Sequence, residues 1–306
     1  MKEIVGFIAG FYKEINKSVF IACTLLTAIL IYLNYHLEAD QYIDDKNSVF
    51  ASFCFRYLIF LIAFCLPYFF YFLLQGKNYF KNILFSGLII IAPAIFSWKI
   101  AMSTEIRIPV EAVWNFYWNQ VIYWPLRLVV LFVMLFIIWF IFFRNESFFG
   151  LTTKNFKWNP YLLMLLIMIP LIAAASSQQD FLDMYPKMKE VHSALTGIEH
   201  NGIYLLLHEL AYGTDFISVE LFFRGFLILA FIKVAGRDAI LPMACFYCTI
   251  HFGKPLGECI SSYFGGMLLG IVVFHTRSIL GGLVVHLGIA WMMELGGVIG
   301  NVFIGK

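Results

Sequence analysis

An acid and a base stand four residues apart in a segment that is otherwise apolar. The segment DFISVELFFRGFLILA places Glu220 and Arg224 in a run that is too hydrophobic for water. Residues four apart share one face of an α-helix, and acid before base is the favourable order. In a low dielectric the two charges hold together, because either one alone is costly to bury. The pair is either an ion pair that stabilises one helix or part of the polar lining of a reaction site.

Two histidines follow on later apolar segments. His251 comes shortly before Pro255, and His286 lies well inside the last apolar segment, near the predicted middle of the bilayer. Ionisable side chains at membrane depth are expensive, so each is a candidate for function. A carboxylate or a histidine can polarise a water while other donors stabilise an oxyanion, as peptide-bond hydrolysis requires. A proton-coupled transporter would need the same groups.

The composition is that of a membrane protein. Of the 306 residues, 61% are hydrophobic and only 13% are charged, and the mean hydropathy is +0.83. A soluble globular domain is usually about one quarter charged. The net charge of +2, without a basic stripe, gives no reason to expect nucleic acid as a partner. We therefore expect a multi-pass integral membrane protein in contact with the lipid bilayer.

The apolar segments predict the fold class. Because a membrane span needs about 20 apolar residues, the pattern indicates an all-α, polytopic transmembrane helical bundle with about eight or nine spans. The predicted spans are 18–35, 54–75, 83–100, 120–143, 159–176, 202–235, 239–252, 257–275 and 279–298.

Charge in the loops predicts the orientation. Lysine and arginine mark the cytoplasmic side of a membrane protein. Alternate loops are basic, beginning with the N-terminal tail. Their basic residues are Lys2, Lys13 and Lys17, then Lys77 and Lys81, then Arg144, Lys154 and Lys157, then Lys233 and Arg237, and finally Arg277. We expect a cytoplasmic N-terminus, and the composition and loops favour a bacterial inner membrane.

The chain divides into two compositional halves. Residues 1–200 contain aromatic-rich spans and a loop near 176–200, with few buried ionisable groups. Residues 201–306 contain many glycines and nearly all of the intramembrane charge. The spacing Gly266-x-x-x-Gly270 allows two helices to approach closely. We predict that 201–306 is the tightly packed domain that carries the chemistry.

The order and spacing of these residues resemble the CPBP family of intramembrane proteases. That family includes the CAAX-processing, Ras-converting type of enzyme and bacterial proteins linked to bacteriocin self-immunity. Its pattern is Glu-Glu-x-x-x-Arg, then Phe-x-x-x-His, then His-x-x-x-Asn or Asp, on separate transmembrane helices. The first motif reads Val219-Glu220-Leu-Phe-Phe-Arg224 here, so Glu220 takes the place of the second glutamate.

The other two motifs are also present with one change each. The second ends at His251, with Tyr247 where phenylalanine is usual. The third begins at His286, with Ala290 where asparagine or aspartate belongs. The resemblance covers about residues 205–295. It implies an intramembrane endopeptidase that cleaves a membrane-anchored or hydrophobic peptide.

The resemblance also leaves one role without a residue. In active relatives the first glutamate of the pattern, together with the histidines, activates the water. Val219 cannot do this, so the general base must be found elsewhere. Asp215 lies one turn before Val219 on the same helix face. Glu258, Glu294 and Glu220 itself are further candidates, although a neighbouring arginine makes Glu220 a weaker base.

A metal is a separate question. Two histidines and a carboxylate on three helices could bind zinc, and the family was once described as metal-dependent. However, neither His251 nor His286 belongs to a His-Glu-x-x-His motif, which is the dense local signature of zinc. The pair His208-Glu209 begins such a motif, but Tyr212 stands in the place of its second histidine. We expect no cofactor, with zinc as the alternative.

Three functions remain open. The first is an intramembrane endopeptidase with Glu220, Arg224, His251, His286 and Asp215 in its site. The second is a catalytically degenerate member of the same family that binds a hydrophobic peptide or a partner membrane protein. The third is a transporter, which is less favoured because the sequence has no repeated halves and no paired broken helices.

Overall fold

The computed structural model of the protein describes residues 2–44, 48–102, 105–154 and 156–303. Every regular element in these ranges is helical, which confirms the predicted all-α class. Residues 304–306, the end of the predicted second domain, lie outside them. The α-helices are α1 (Lys2–Glu14), α2 (Lys17–Leu37), α3 (Ala39–Asp44), α4 (Val49–Gln75), α5 (Ile83–Ala101), α6 (Ala112–Ile138), α7 (Trp158–Ala175), α8 (Gln179–Met184), α9 (Lys189–Ala194), α10 (Asn201–Val219), α11 (Ile232–Ala235), α12 (Ile240–Thr249), α13 (Leu256–Thr276) and α14 (Leu280–Phe303).

Two π-helical segments continue α-helices. Trp139–Phe143 follows α6, and Glu220–Ala230 follows α10 without a break. π-Helical hydrogen bonds run from residue i to residue i+5, and most examples are single turns at functional sites. The second segment is 11 residues long. It begins at the glutamate that the sequence pattern singles out.

Seven helical segments of the described chain are long and apolar enough to cross a membrane. They are Lys17–Leu37, Val49–Gln75, Ile83–Ala101, Ala112–Phe143, Trp158–Ala175, Leu256–Thr276 and Leu280–Phe303, and they match seven of the nine predicted spans. The other two predicted spans are helical as well. Segment 202–235 contains α10, the π-helix and α11, and segment 239–252 contains α12. The protein is a multi-pass membrane protein.

Short polar caps begin several of the long helices. The side chain of Asn16 accepts a hydrogen bond from the backbone N–H of Val19 at the start of α2, at 3.0 Å. Asn82 does the same at the start of α5. Such caps satisfy backbone donors that have no partner inside the helix. At the other end of α4, Gly76 has a φ of +66°, a conformation that glycine adopts without strain.

The chain forms two compact units. The first consists of Met1–Met102, Met134–Phe156 and Leu221–Leu280. Its centre is α12, whose ten residues are all buried and which packs on α2, α4 and α13. A Cβ on Gly266 of α13 would lie 2.6 Å from Cδ1 of Tyr247, and one on Gly270 would lie 2.6 Å from Cε of Met243. The close helix approach expected at these glycines is therefore confirmed.

The second unit consists of Ser103–Val133, Lys157–Glu220 and Gly281–Lys306. Within it, the hydroxyl of Tyr117 on α6 donates to the carbonyl of Tyr204 on α10, at 2.9 Å. Gly213 of α10 faces Leu287 of α14, since a Cβ there would lie 3.3 Å from Cδ1 of that leucine. Contacts of this kind fix α10 against its neighbours within the unit.

Candidate active site

Glu220 and His286 meet inside the second unit. Nδ1 of His286 lies 2.9 Å from Oε1 of Glu220, although 66 positions separate the two in the chain. Gly282 stands one turn before His286, and a side chain there would collide with Oε2 of Glu220. The small residue at position 282 therefore leaves room for the carboxylate beside the imidazole.

The two members of this pair differ in exposure. The side chain of Glu220 is 0% exposed, whereas that of His286 is 14% exposed. Only the imidazole can therefore reach a water or a substrate. When Glu220 is ionised it can only accept a hydrogen bond, so Nδ1 of His286 then carries a proton and a neutral imidazole keeps its lone pair on Nε2. The buried acid thus selects the tautomer of the partly exposed base.

An aromatic ring fixes the orientation of His286. The ring of Phe216 lies edge-on to the imidazole, with centroids 4.9 Å apart and planes at 72°. Phe216 precedes Glu220 by four residues, and Gly282 precedes His286 by four. Both supporting residues therefore lie on the same helix faces as the pair they support. That spacing is visible in the sequence and could have identified them.

Arg224, Tyr247 and His251 form a cluster inside the first unit. The guanidinium carbon of Arg224 lies 3.8 Å from the centroid of the Tyr247 ring, and the arginine is fully buried. Nδ1 of His251 lies 3.1 Å from the backbone oxygen of Tyr247. A carbonyl oxygen can only accept, so this nitrogen of His251 also carries the proton. One residue therefore positions both the arginine and the histidine.

The two departures from the family pattern are buried. Val219 is 6% exposed and Ala290 is 4% exposed, and both belong to the second unit. Their apolar side chains stand where the pattern has polar ones, and neither can hold a proton or a water. Neither side chain can therefore take the part that the water-activating glutamate or the polar residue has in the family pattern.

Asp215, the first candidate for that role, is held locally. The hydroxyl of Ser218 donates to the backbone oxygen of Asp215 at 2.9 Å and lies 3.3 Å from its Oδ1. The aspartate is half-buried in α10. It belongs to the same unit as Glu220 and His286.

The remaining candidate acids have structural partners. Glu258 accepts from Nζ of Lys254 at 3.0 Å, one turn away. Both carboxylate oxygens of Glu294 accept from the backbone N–H of Lys187, at 2.9 and 2.8 Å. Glu294 therefore anchors the segment that follows α8.

The described histidines and acids of this region do not form a zinc site. A structural or catalytic zinc site uses three or four His, Cys, Asp or Glu ligands. No group of three such side chains comes together in the part of the chain that the structure describes. The described residues therefore do not form the donor set of a zinc site.

Comparison with known proteins bears on residues 205–292, which match the family model of Type II CAAX prenyl endopeptidase Rce1-like proteins. No curated protein and no solved structure matches the chain. The matched segment contains Glu220, Arg224, His251 and His286, together with Asp215. Over residues 205–292 the resemblance drawn from the motifs is confirmed: this segment is similar to CAAX-type proteases.

Proposed function

We propose that this protein is an intramembrane endopeptidase that hydrolyses a peptide bond of a membrane-associated substrate. The observation that carries the proposal is the 2.9 Å contact between His286 and Glu220. It lies within the segment that the family model matches. A buried acid that orients a partly exposed imidazole is the arrangement that makes histidine a general base.

His286 takes the role that Val219 cannot fill. Nε2 of His286 removes a proton from a water, whose oxygen attacks the carbonyl carbon of the substrate. The negative charge of Glu220 stabilises the imidazolium that forms. His286 then gives the same proton to the leaving nitrogen as the carbon–nitrogen bond breaks. Glu220 is a positioning residue in this scheme, because its side chain is fully buried.

Arg224 and His251 receive their roles from the resemblance. His251 supplies the second imidazole of the family pattern, and its Nδ1 is engaged by the backbone of Tyr247. Arg224 supplies a buried positive charge whose direction is fixed by the ring of Tyr247. Asp215 is proposed as an auxiliary acid one turn from Val219.

The substrate and the location follow from the same reasoning. The matching family model describes prenyl endopeptidases. A lipid-anchored or otherwise hydrophobic peptide is therefore the proposed substrate. The proposed location is a bacterial inner membrane, with the N-terminus in the cytoplasm.

The second candidate function is peptide binding without hydrolysis. Val219 and Ala290 favour it, because two polar groups of the family pattern are replaced by buried apolar side chains. Such a protein would hold a hydrophobic peptide or a partner membrane protein.

One experiment separates the two functions. The purified protein is mixed in lipid nanodiscs with a fluorogenic peptide, in a prenylated and an unmodified form. Turnover by the native protein that is lost in His286→Ala, with binding of the peptide retained, supports the endopeptidase. If the native protein and His286→Ala bind the peptide equally and neither hydrolyses it, the second function is supported. Turnover that survives in His286→Ala and in His251→Ala contradicts the proposed site.

A further inference from the structure

The first unit contains a cavity that the proposed chemistry does not use. Its volume is about 340 Å³, within the range of small-molecule sites. Its polar lining residues are Arg277, Ser147 and Glu146. Its apolar lining residues include Phe143, Leu229 and Ile232, which together are called the apolar wall. We call this space the Arg277 cavity.

The Arg277 cavity lies where apolar helices end. Phe143 is the last residue of the candidate span Ala112–Phe143, and Arg277 directly follows the span Leu256–Thr276. The ends of membrane spans lie at the level of the lipid headgroups. The cavity therefore faces the layer in which phosphate groups and the first carbons of acyl chains are found.

The walls of the cavity are held by hydrogen bonds. The backbone N–H of Ile279 donates to the oxygen of Gly150 at 3.0 Å. The hydroxyl of Ser278 donates to the oxygen of Thr152 at 2.7 Å. These bonds tie the loop after Phe143 to the residues after α13. The site is formed in advance, which lowers the ordering cost of binding.

The backbone is strained on this loop. Phe149 has a φ of +40°, which is unusual for a bulky residue, and its side chain is 3% exposed. Strain of this kind persists only where the surrounding structure imposes it, and it clusters at functional sites. The carbonyl of Phe149 would lie 2.6 Å from a Cβ on Gly225, the residue after Arg224. The cavity wall therefore touches the segment that carries the buried arginine.

The charges favour an anion. Arg277 is exposed, while the carboxylate of Glu146 is paired with Lys233. Three of the loops that the sequence marks as basic meet at this place, through Glu146, Lys233 and Arg277. Basic pockets between transmembrane helices on the cytoplasmic side, which basic loops mark, bind anionic headgroups. The one negative charge of Glu146 does not neutralise the two positive charges of Lys233 and Arg277.

We propose that the Arg277 cavity binds an anionic phospholipid. The guanidinium of Arg277 contacts the phosphate, and the acyl chains follow the apolar wall formed by Phe143, Leu229 and Ile232. Free phosphate shares the headgroup chemistry but would leave that wall in contact with water, which is unfavourable. A lipid satisfies both the polar and the apolar residues of the lining. This binding does not depend on peptide hydrolysis.

The test uses the full chain in detergent, titrated with phosphatidylglycerol, phosphatidylcholine or inorganic phosphate and followed by native mass spectrometry. Arg277→Asn removes the charge with a residue that tolerates a positive φ, since Arg277 has a φ of +57°. We expect it to weaken phosphatidylglycerol binding about fivefold, the effect of one basic side chain near a lipid surface. The matched control Arg107→Asn changes an exposed arginine outside the cavity and should leave binding unchanged.

A second variant guards against a folding defect. Glu146→Gln removes the negative charge of the lining and releases Lys233, so it should tighten phosphatidylglycerol binding. A misfolded protein could not show such a gain. Equal binding by the native protein, Arg277→Asn and Glu146→Gln would overturn the proposal. So would inorganic phosphate that competes with the lipid at equal concentration, because the apolar wall would then contribute nothing.

Discussion

The guanidinium of Arg224 lies 3.8 Å from the ring centroid of Tyr247, and the backbone oxygen of the same tyrosine holds Nδ1 of His251 at 3.1 Å. Tyr247 therefore supports two site residues by two separable contacts, one through its ring and one through its backbone. Substitution of the Tyr247 side chain removes the ring contact with Arg224 and leaves the backbone contact with His251.

The contact between Arg224 and Tyr247 should be measurable as a coupling energy. Tyr247→Leu and Arg224→Met are made singly and together, and unfolding is followed by titration with a denaturing detergent. A desolvated cation–π contact contributes about 2 kcal/mol, so the double variant should lose that much less than the sum of the single variants. Tyr247→Phe keeps the aromatic face and serves as the control. Additive losses would show that the contact contributes no stability.

Gly282→Ala should damage the reaction more than the fold. The new methyl group would collide with Oε2 of Glu220 and displace the carboxylate from His286. A misplacement of about 1 Å at a catalytic group can lower the rate about 10²-fold. The matched control is Gly265→Ala, where an added Cβ meets no atom within 4 Å. Rates of peptide cleavage in the two variants are compared, and equal rates would contradict the predicted collision.

Glu220→Gln should separate orientation from substrate binding. The amide keeps the shape of the side chain but no longer selects the tautomer that leaves Nε2 of His286 as the acceptor. The corresponding change in a triad enzyme lowers kcat about 10⁴-fold, so we expect a loss of at least about 10²-fold with little change in KM. Glu258→Gln is the control, because Glu258 pairs with Lys254. A large loss in Glu258→Gln and none in Glu220→Gln would show that Glu220 is not the acid on which the reaction depends.

Glu294→Ala should loosen the segment around residues 178–200. The substitution removes the carboxyl group whose two oxygens share the single N–H of Lys187 as their donor. One such hydrogen bond contributes about 0.5–1.5 kcal/mol, so local opening should become more frequent. Limited proteolysis measures it as faster cleavage within this segment. Glu199→Ala, at an exposed position, is the control. An unchanged cleavage pattern would show that the anchor is dispensable.

Much of the fold could be predicted from the sequence because membrane spans are local features. A run of apolar residues such as Ile83–Ala101 forms a helix whatever lies elsewhere in the chain, since its backbone must be hydrogen-bonded in lipid. The candidate acid and imidazole could be named for a related reason. Glu220 and His286 are ionisable groups in apolar runs, and few residues of the second half share that property.

The partners of these residues could not be predicted, because they are set by contacts between distant segments. The pairing of Glu294 with the backbone of Lys187 joins positions 107 apart. The sequence offered Glu294 as a candidate for catalysis, whereas the structure gives it a structural anchor. Periodicity within one helix carries no information about which loop will pack on it.

The π-helix from Glu220 to Ala230 also sets how this segment responds to a change of length. Each of its hydrogen-bonded rings contains one residue more than an α-helical ring. Removing one residue, for example Phe222, would let the rings that span that position close as α-helical rings. This change would alter the orientation of the side chains, since every later side chain would turn by about 100° about the helix axis. Arg224 would move away from the ring of Tyr247. A one-residue deletion here should therefore leave the protein folded but abolish the proposed peptidase activity.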